Sequence, residues 1–265
     1  MKKILALLQV SKRQKFVFVV SALSLGLFLS EFLGGQYFLA ATIILAILTD
    51  VALYLILKND IKGTFFYPIF ILPFLYTVAF NLFYSLVPAR ILTRLVMTVV
   101  YGFGLYSLFL TQNIFAVSSI RTINLLRSAR IVSFVLTIII LFFLINVSFS
   151  LRLPIIVLPI LVFIVSFFLS FQSLWVYVFD KSLLSEILIA AGVISFSLME
   201  LSLILILWPV NASIYSIFLT GVFYAYSGVI HAWIEKRLFK GILWEYIWIG
   251  FLSILILLFF SKWGI

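Results

Sequence analysis

Residues 111–130 read TQNIFAVSSIRTINLLRSAR. They carry three arginines, two asparagines, a glutamine and several hydroxyls, in a chain that is greasy on both sides. At 3.6 residues per turn, Arg121, Asn124, Arg127 and Ser128 share one arc of a helix, and Ile123, Leu125, Leu126 and Ala129 cover most of the rest. Such a helix suits a membrane surface, with arginines toward phosphates and leucines toward acyl chains. The spacing predicts one cytoplasmic amphipathic segment over 111–130, set between two apolar halves of a multi-pass protein.

Composition makes lipid the solvent for those halves. Of 265 residues, 66% are hydrophobic and 10% charged, with a mean hydropathy of +1.34. A soluble domain has about 45–50% apolar and about 25% charged residues. The expected fold is all-α: a polytopic transmembrane helix bundle of about nine spans, forming a single integral membrane domain over 1–265. The absence of Cys excludes disulfides, thiol catalysis and Cys-ligated metals, and a single His excludes a multi-His metal or haem site within one chain. The net charge of +10 is not a nucleic-acid signature, which needs a soluble basic face with aromatics between the charges. The basic residues here punctuate apolar runs, so the expected contact is a bilayer with anionic headgroups.

The expected spans cover 16–33, 37–57, 65–87, 91–110, 131–149, 154–179, 183–208, 212–232 and 242–261. Each is near the ~20 residues that cross ~30 Å of hydrocarbon. The first follows five basic residues within 1–15 and lacks an A-x-A-like cleavage site, so it reads as an uncleaved helix with the amino terminus inside. That threading places fourteen Lys and Arg inside and leaves Arg90, Arg94, Arg152 and Lys262 outside. The asymmetry obeys the positive-inside rule and puts the carboxyl terminus outside. The headgroup contacts expected inside are Arg121, Arg127, Arg130, Lys236, Arg237 and Lys240. Arg94 is expected to snorkel at the outer interface.

Two segments echo each other: PIFILP at 68–73 and PIIVLP at 154–159. One reading is local, because Pro is tolerated in a first helical turn. The other is an inverted repeat of the kind transporters carry, with a further Leu-Thr match at Leu48–Thr49 and Leu136–Thr137.

Intramembrane charge is costly, so each charged residue within a span is a candidate site. Asp50 lies mid-span in the second helix. Glu186, Ala190, Val193, Ser197 and Glu200 follow steps of 4, 3, 4 and 3, a small and polar line with carboxylates about 21 Å apart. This line is expected to face the bundle interior, with Asp50 on a neighbouring wall. Asn81, with Thr77 and Tyr84, forms another polar patch. A neutral carboxyl bridging two helices is the plainer role; a proton or cation site is the sharper one. Gly221, Ala225, Gly228 and Ala232 make a small-residue row suited to helix packing. His231, beside Trp233 and Glu235, is expected to be a solvated interfacial anchor, and Glu31 a solvated helix end.

Enzyme signatures are missing: there is no H-E-x-x-H, no P-loop with its Lys and no G-x-S-x-G. The expectation is therefore a non-enzymatic protein with no cofactor and no metal. It acts as a partner or assembly component alongside another membrane protein or a second copy. The alternative is a proton- or cation-coupled secondary transporter using the intramembrane carboxylates.

Asn113–Ile114–Phe115, with Arg121–Thr122–Ile123–Asn124–Leu125–Leu126–Arg127, resembles a segment of uncharacterised bacterial multi-pass membrane proteins with no assigned activity. The resemblance implies a protein of the bacterial inner membrane and nothing about mechanism.

Overall fold

The computed structural model describes residues 11–33, 36–58, 67–88, 90–118, 125–178 and 183–261. Among these the secondary structure is entirely helical: α1 (Lys12–Ser30), α2 (Gln36–Leu57), α3 (Pro68–Tyr84), α4 (Ile91–Ser118), α5 (Leu126–Ser150), α6 (Val157–Val178), α7 (Leu184–Ile206), α8 (Ala212–Ile234) and α9 (Lys240–Phe260). Eight are long and apolar enough to cross a membrane, and α3, with 17 residues, is the short one. Helices are the natural answer in hydrocarbon, because each satisfies its backbone N–H and C=O groups within itself.

Several termini are written locally. Ser11 and Gln14 form a capping box: the Gln14 amide donates to Ser11 Oγ at 3.4 Å, and the Ser11 amide donates to Gln14 Oε1 at 2.9 Å. This starts α1 at Lys12, four residues before the expected span. Asn211 Oδ1 accepts from the Ile214 amide at 2.9 Å and starts α8. Pro68 occupies the first turn of α3, and Pro73 lies inside that helix.

The basic segment departs from expectation. Residues 111–118 do not form a separate surface helix; they continue α4, whose 28 residues span about 42 Å, well beyond the hydrocarbon thickness. Nothing in TQNIFAVS breaks a helix, and Thr111, Gln112, Phe115 and Ala116 are buried there. Leu126–Arg130 open α5. Arg121 and the rest of 119–124 lie outside the described residues.

The chain divides into two compact units, 1–132 and 133–265. In the first, α1 packs on α2 and α4, α2 on α3, and α3 on α4. Its α1 core face is Phe16, Val20, Leu23, Leu27 and Ser30, in steps of 4, 3, 4 and 3. At the end of α1, the Arg94 guanidinium lies 4.5 Å from the centre of the Phe32 ring, a cation–π contact that anchors the start of α4. Beside it Glu31 is half-buried rather than solvated.

In the second unit, α6 pairs with α7 and α8 with α9, with smaller contacts of α8 to α6 and α7. Aromatic contacts join α5 to α8: Phe134 to Tyr224 at 5.5 Å and Phe149 to Tyr215 at 4.4 Å between ring centres. Gly228 and Gly221 let α9 approach α8. A Cβ at Gly228 would overlap the Tyr246 ring, and one at Gly221 would overlap the Ser253 side chain. Ala225 and Ala232 are buried on the same helix. Close approach through small residues is how membrane helices gain van der Waals contact.

The two proline echoes take different helical positions. Pro68 is inside the first turn of α3, whereas Pro154 precedes α6, which starts at Val157.

Candidate functional site

In the first unit, three helices contribute hydroxyls to one buried network. Thr77 Oγ1 on α3 lies 3.1 Å from Thr49 Oγ1 on α2 and 3.1 Å from the Tyr101 hydroxyl on α4. The Thr77 hydroxyl also reaches its own helix at Pro73 O, 3.1 Å away, and Thr49 reaches Leu45 O at 2.9 Å. Tyr76 donates to Tyr101 O at 3.1 Å, and the two rings stack with centres 5.4 Å apart. One turn along α3, Asn81 Nδ2 donates to Thr42 Oγ1 at 2.8 Å, and Asn81 Oδ1 accepts from Ser30 Oγ at 2.9 Å. Both amide ends of this fully buried Asn81 are therefore used, as a polar group in hydrocarbon requires.

Asp50 follows Thr49 on α2, and its Oδ1 is buried with no hydrogen-bond partner among the described residues. Gln112 on α4 is fully buried with both amide atoms in the same condition. Sequence reading missed Gln112 because it lay in a segment expected at the membrane surface.

In the second unit, Ser173 Oγ on α6 lies 3.0 Å from His231 Nε2 on α8. Tyr177 stacks on the imidazole at 4.3 Å and Phe134 meets it edge-on at 4.9 Å. His231 is thus a buried, partnered residue and not a solvated anchor, because side chains of α6 and α5 pack on it. No sequence signal linked positions 173 and 231, which are 58 residues apart. The Ser202 and Tyr215 hydroxyls meet at 2.5 Å between α7 and α8.

The carboxylates of α7 sit differently from expectation. Its buried face is Ile187, Ala191, Ile194, Ser195, Leu198, Ser202 and Leu205. Glu186, Val193 and Glu200 are exposed, with Ala190 and Ser197 half-buried. Small residues occur in two rows one position apart, about 100° round the helix, and packing chose the row through Ala191 and Ser195. Asp50 belongs to the first unit, and Glu186, Ser197 and Glu200 belong to the second.

Glu186 and Lys236, fifty residues apart, line one cleft of about 290 Å³ between α6, α7 and α8. Arg127 is exposed on the first turn of α5 and Arg130 half-buried on the next. Lys236, Arg237 and Lys240 are exposed around the α8–α9 connection, where Arg237 pairs with Glu235. In the first unit, a shallow apolar groove of about 690 Å³ runs between α1 and α4, past Ser24 and Gly102. Among the described residues no group of His, Asp and Glu is gathered as metal ligands would be.

Eight long apolar helices among the described residues, with hydroxyl and amide groups of neighbouring helices meeting inside each unit, define a multi-pass helical membrane protein. Residues 24–260 match the family model DUF5656, described as a protein of unknown function, and the chain belongs to that family. No curated protein and no solved structure matches the chain.

Proposed function

We propose that this protein is a non-enzymatic component of the bacterial inner membrane, with the amino terminus cytoplasmic and the carboxyl terminus outside, and that it works by docking another membrane protein along α7. The observation that supports this reading is Glu200. It is exposed in the outer half of a spanning helix, flanked by the exposed apolar side chains of Val193, Phe196, Leu203 and Ile204. An ionised carboxylate facing hydrocarbon costs about 2.5–3.5 kcal/mol on insertion scales. A donor from a partner helix removes that cost, and apolar flanks supply the packing surface. The basic side chains Arg121, Arg127, Arg130, Lys236, Arg237 and Lys240 serve the same protein by holding anionic headgroups, each contributing about 1 kcal/mol near a charged surface.

A photo-crosslinker placed at Val193 in cells tests the docking. A discrete protein adduct, lost on Glu200→Leu, is the expected result. Adducts with lipid alone would overturn it.

A second reading, a proton- or cation-coupled transporter, draws support from Asp50. Its unpartnered Oδ1 is a polar atom kept inside the first unit at a cost in stability. Reconstituted vesicles that acidify on solute uptake, with Asp50→Asn abolishing the coupling, would favour transport over docking.

A further inference from the structure

We infer that the cleft between α6, α7 and α8 is a binding site for one phospholipid whose headgroup carries a primary ammonium, of the phosphatidylethanolamine class. The cleft lies at one end of the second unit, where the last turns of α6 and α8 meet the first turns of α7. Its volume of about 290 Å³ is at the low end for ligand pockets and suits part of one acyl chain. Leu174 and Ile187 are buried in its wall, and Ala190 and Ile230 line it farther out. Ala190 matters through its size, since a larger side chain there would fill the space.

The charges are placed at the helix ends, as a headgroup needs. Glu186 stands in the first turn of α7 and Lys236 just past the end of α8. Among the described residues neither is ion-paired, so a carboxylate and an ammonium remain open at the mouth of one apolar cleft. A phosphoethanolamine offers the complementary set: a phosphate for Lys236 and an N–H-donating ammonium for Glu186. A glycerol headgroup brings no cation to Glu186, and a choline brings a cation without an N–H. Trp233, largely exposed beside them, is the residue type that sits at headgroup level.

A second observation concerns the backbone at Lys236. The Arg237 amide donates to Ala232 O at 2.8 Å and the Lys236 amide to Trp233 O at 2.9 Å, which closes α8 in a Schellman cap. In that cap Lys236 takes a φ of 54°, the left-handed position where glycine is usual. A lysine is held where the backbone favours glycine, in a cap that borders the cleft. Residues kept in such conformations cluster where a side chain is needed for function. The site is at the opposite end of α7 from Glu200 and stands whether or not that face docks a protein.

The test uses full-length protein, delipidated in mild detergent. Phosphatidylethanolamine, phosphatidylglycerol and phosphatidylcholine with identical acyl chains are added separately, and occupancy is read by native mass spectrometry. Phosphatidylethanolamine is expected to exceed the other two by at least about fivefold. Glu186→Gln should bring it down to the phosphatidylcholine level. Lys236→Gly should lower occupancy by all three lipids while raising the melting temperature in lipid-free detergent, since it relaxes the cap. Ala190→Trp should abolish occupancy. Equal or stronger binding of phosphatidylglycerol by the wild type would overturn the proposal. So would wild-type occupancy in Lys236→Gly or Ala190→Trp.

Discussion

Thr77 Oγ1 on α3 and the Tyr101 hydroxyl on α4 stand 3.1 Å apart at fully buried positions. Through Thr49, also 3.1 Å from Thr77, the contact extends to α2. Three helices of the first unit therefore share one hydroxyl cluster, and its energetics can be read by mutation. Interhelical hydrogen bonds in membranes average ~0.6 kcal/mol, with a maximum near ~1.7. Tyr101→Phe should cost about 0.6 kcal/mol, because Thr77 keeps its bond to Pro73 O. Thr77→Val removes the shared group and should cost up to about 1.7 kcal/mol. Equilibrium unfolding in mixed micelles checks the order of the two, and a costlier Tyr101→Phe would show that Thr77 is not the hub.

The α8–α9 contact depends on a missing side chain. Gly228→Ala puts a methyl into the Tyr246 ring and should destabilise the second unit by about 1–3 kcal/mol, the usual range for overpacking. Tyr246→Ala opens that space. In a double-mutant cycle the two substitutions should therefore be less damaging together than their sum predicts. Additive melting-temperature shifts would mean that the ring simply moves aside.

Asp50 offers a test in the opposite direction. Replacing a buried polar group that lacks a partner by an apolar side chain of similar volume is neutral or stabilising. Asp50→Leu is expected to hold or raise the melting temperature in detergent. A drop of several degrees would show that the carboxyl is bonded in the folded protein, and would remove the support that Asp50 lends to transport.

Glu200 should behave differently in isolation and in the membrane. With the residue exposed, Glu200→Leu leaves intramolecular contacts intact, so the purified chain should keep its melting temperature. In cells, the same change should shrink the complex seen on native gels after gentle extraction. An unchanged complex would leave docking along α7 without its anchor.

The proposed threading rests on charge asymmetry and can be tested cleanly, because the chain has no Cys of its own. A single cysteine at Lys236 should react with an impermeant thiol reagent only after permeabilisation. One at Arg152 should react in intact cells. The reverse pattern would invert every assignment of inside and outside.

Composition and run length were sufficient for the solvent, the helical class and the approximate number of helices. A chain with 66% hydrophobic residues has no other way to satisfy its backbone in lipid than helices or a closed barrel, and runs of about 20 residues select helices. Local chemistry also wrote several boundaries, as at Pro68 and Asn211. The fate of 111–118 was not legible, because a polar stretch without a helix breaker suits a surface helix and the end of a long one equally. Which face of each helix turns inward was decided by tertiary structure. In a soluble protein the contrast between apolar and polar faces settles that rotation. In lipid both faces are apolar, so the contrast disappears and packing of small residues takes over. On α7 that choice fell on Ala191 and Ser195 and left Glu186 and Glu200 exposed. The contact of Ser173 with His231, and the placing of Glu186 and Lys236 along one cleft, exist because the last turns of α6 and α8 lie beside the first turns of α7, a relation no spacing along the chain encodes.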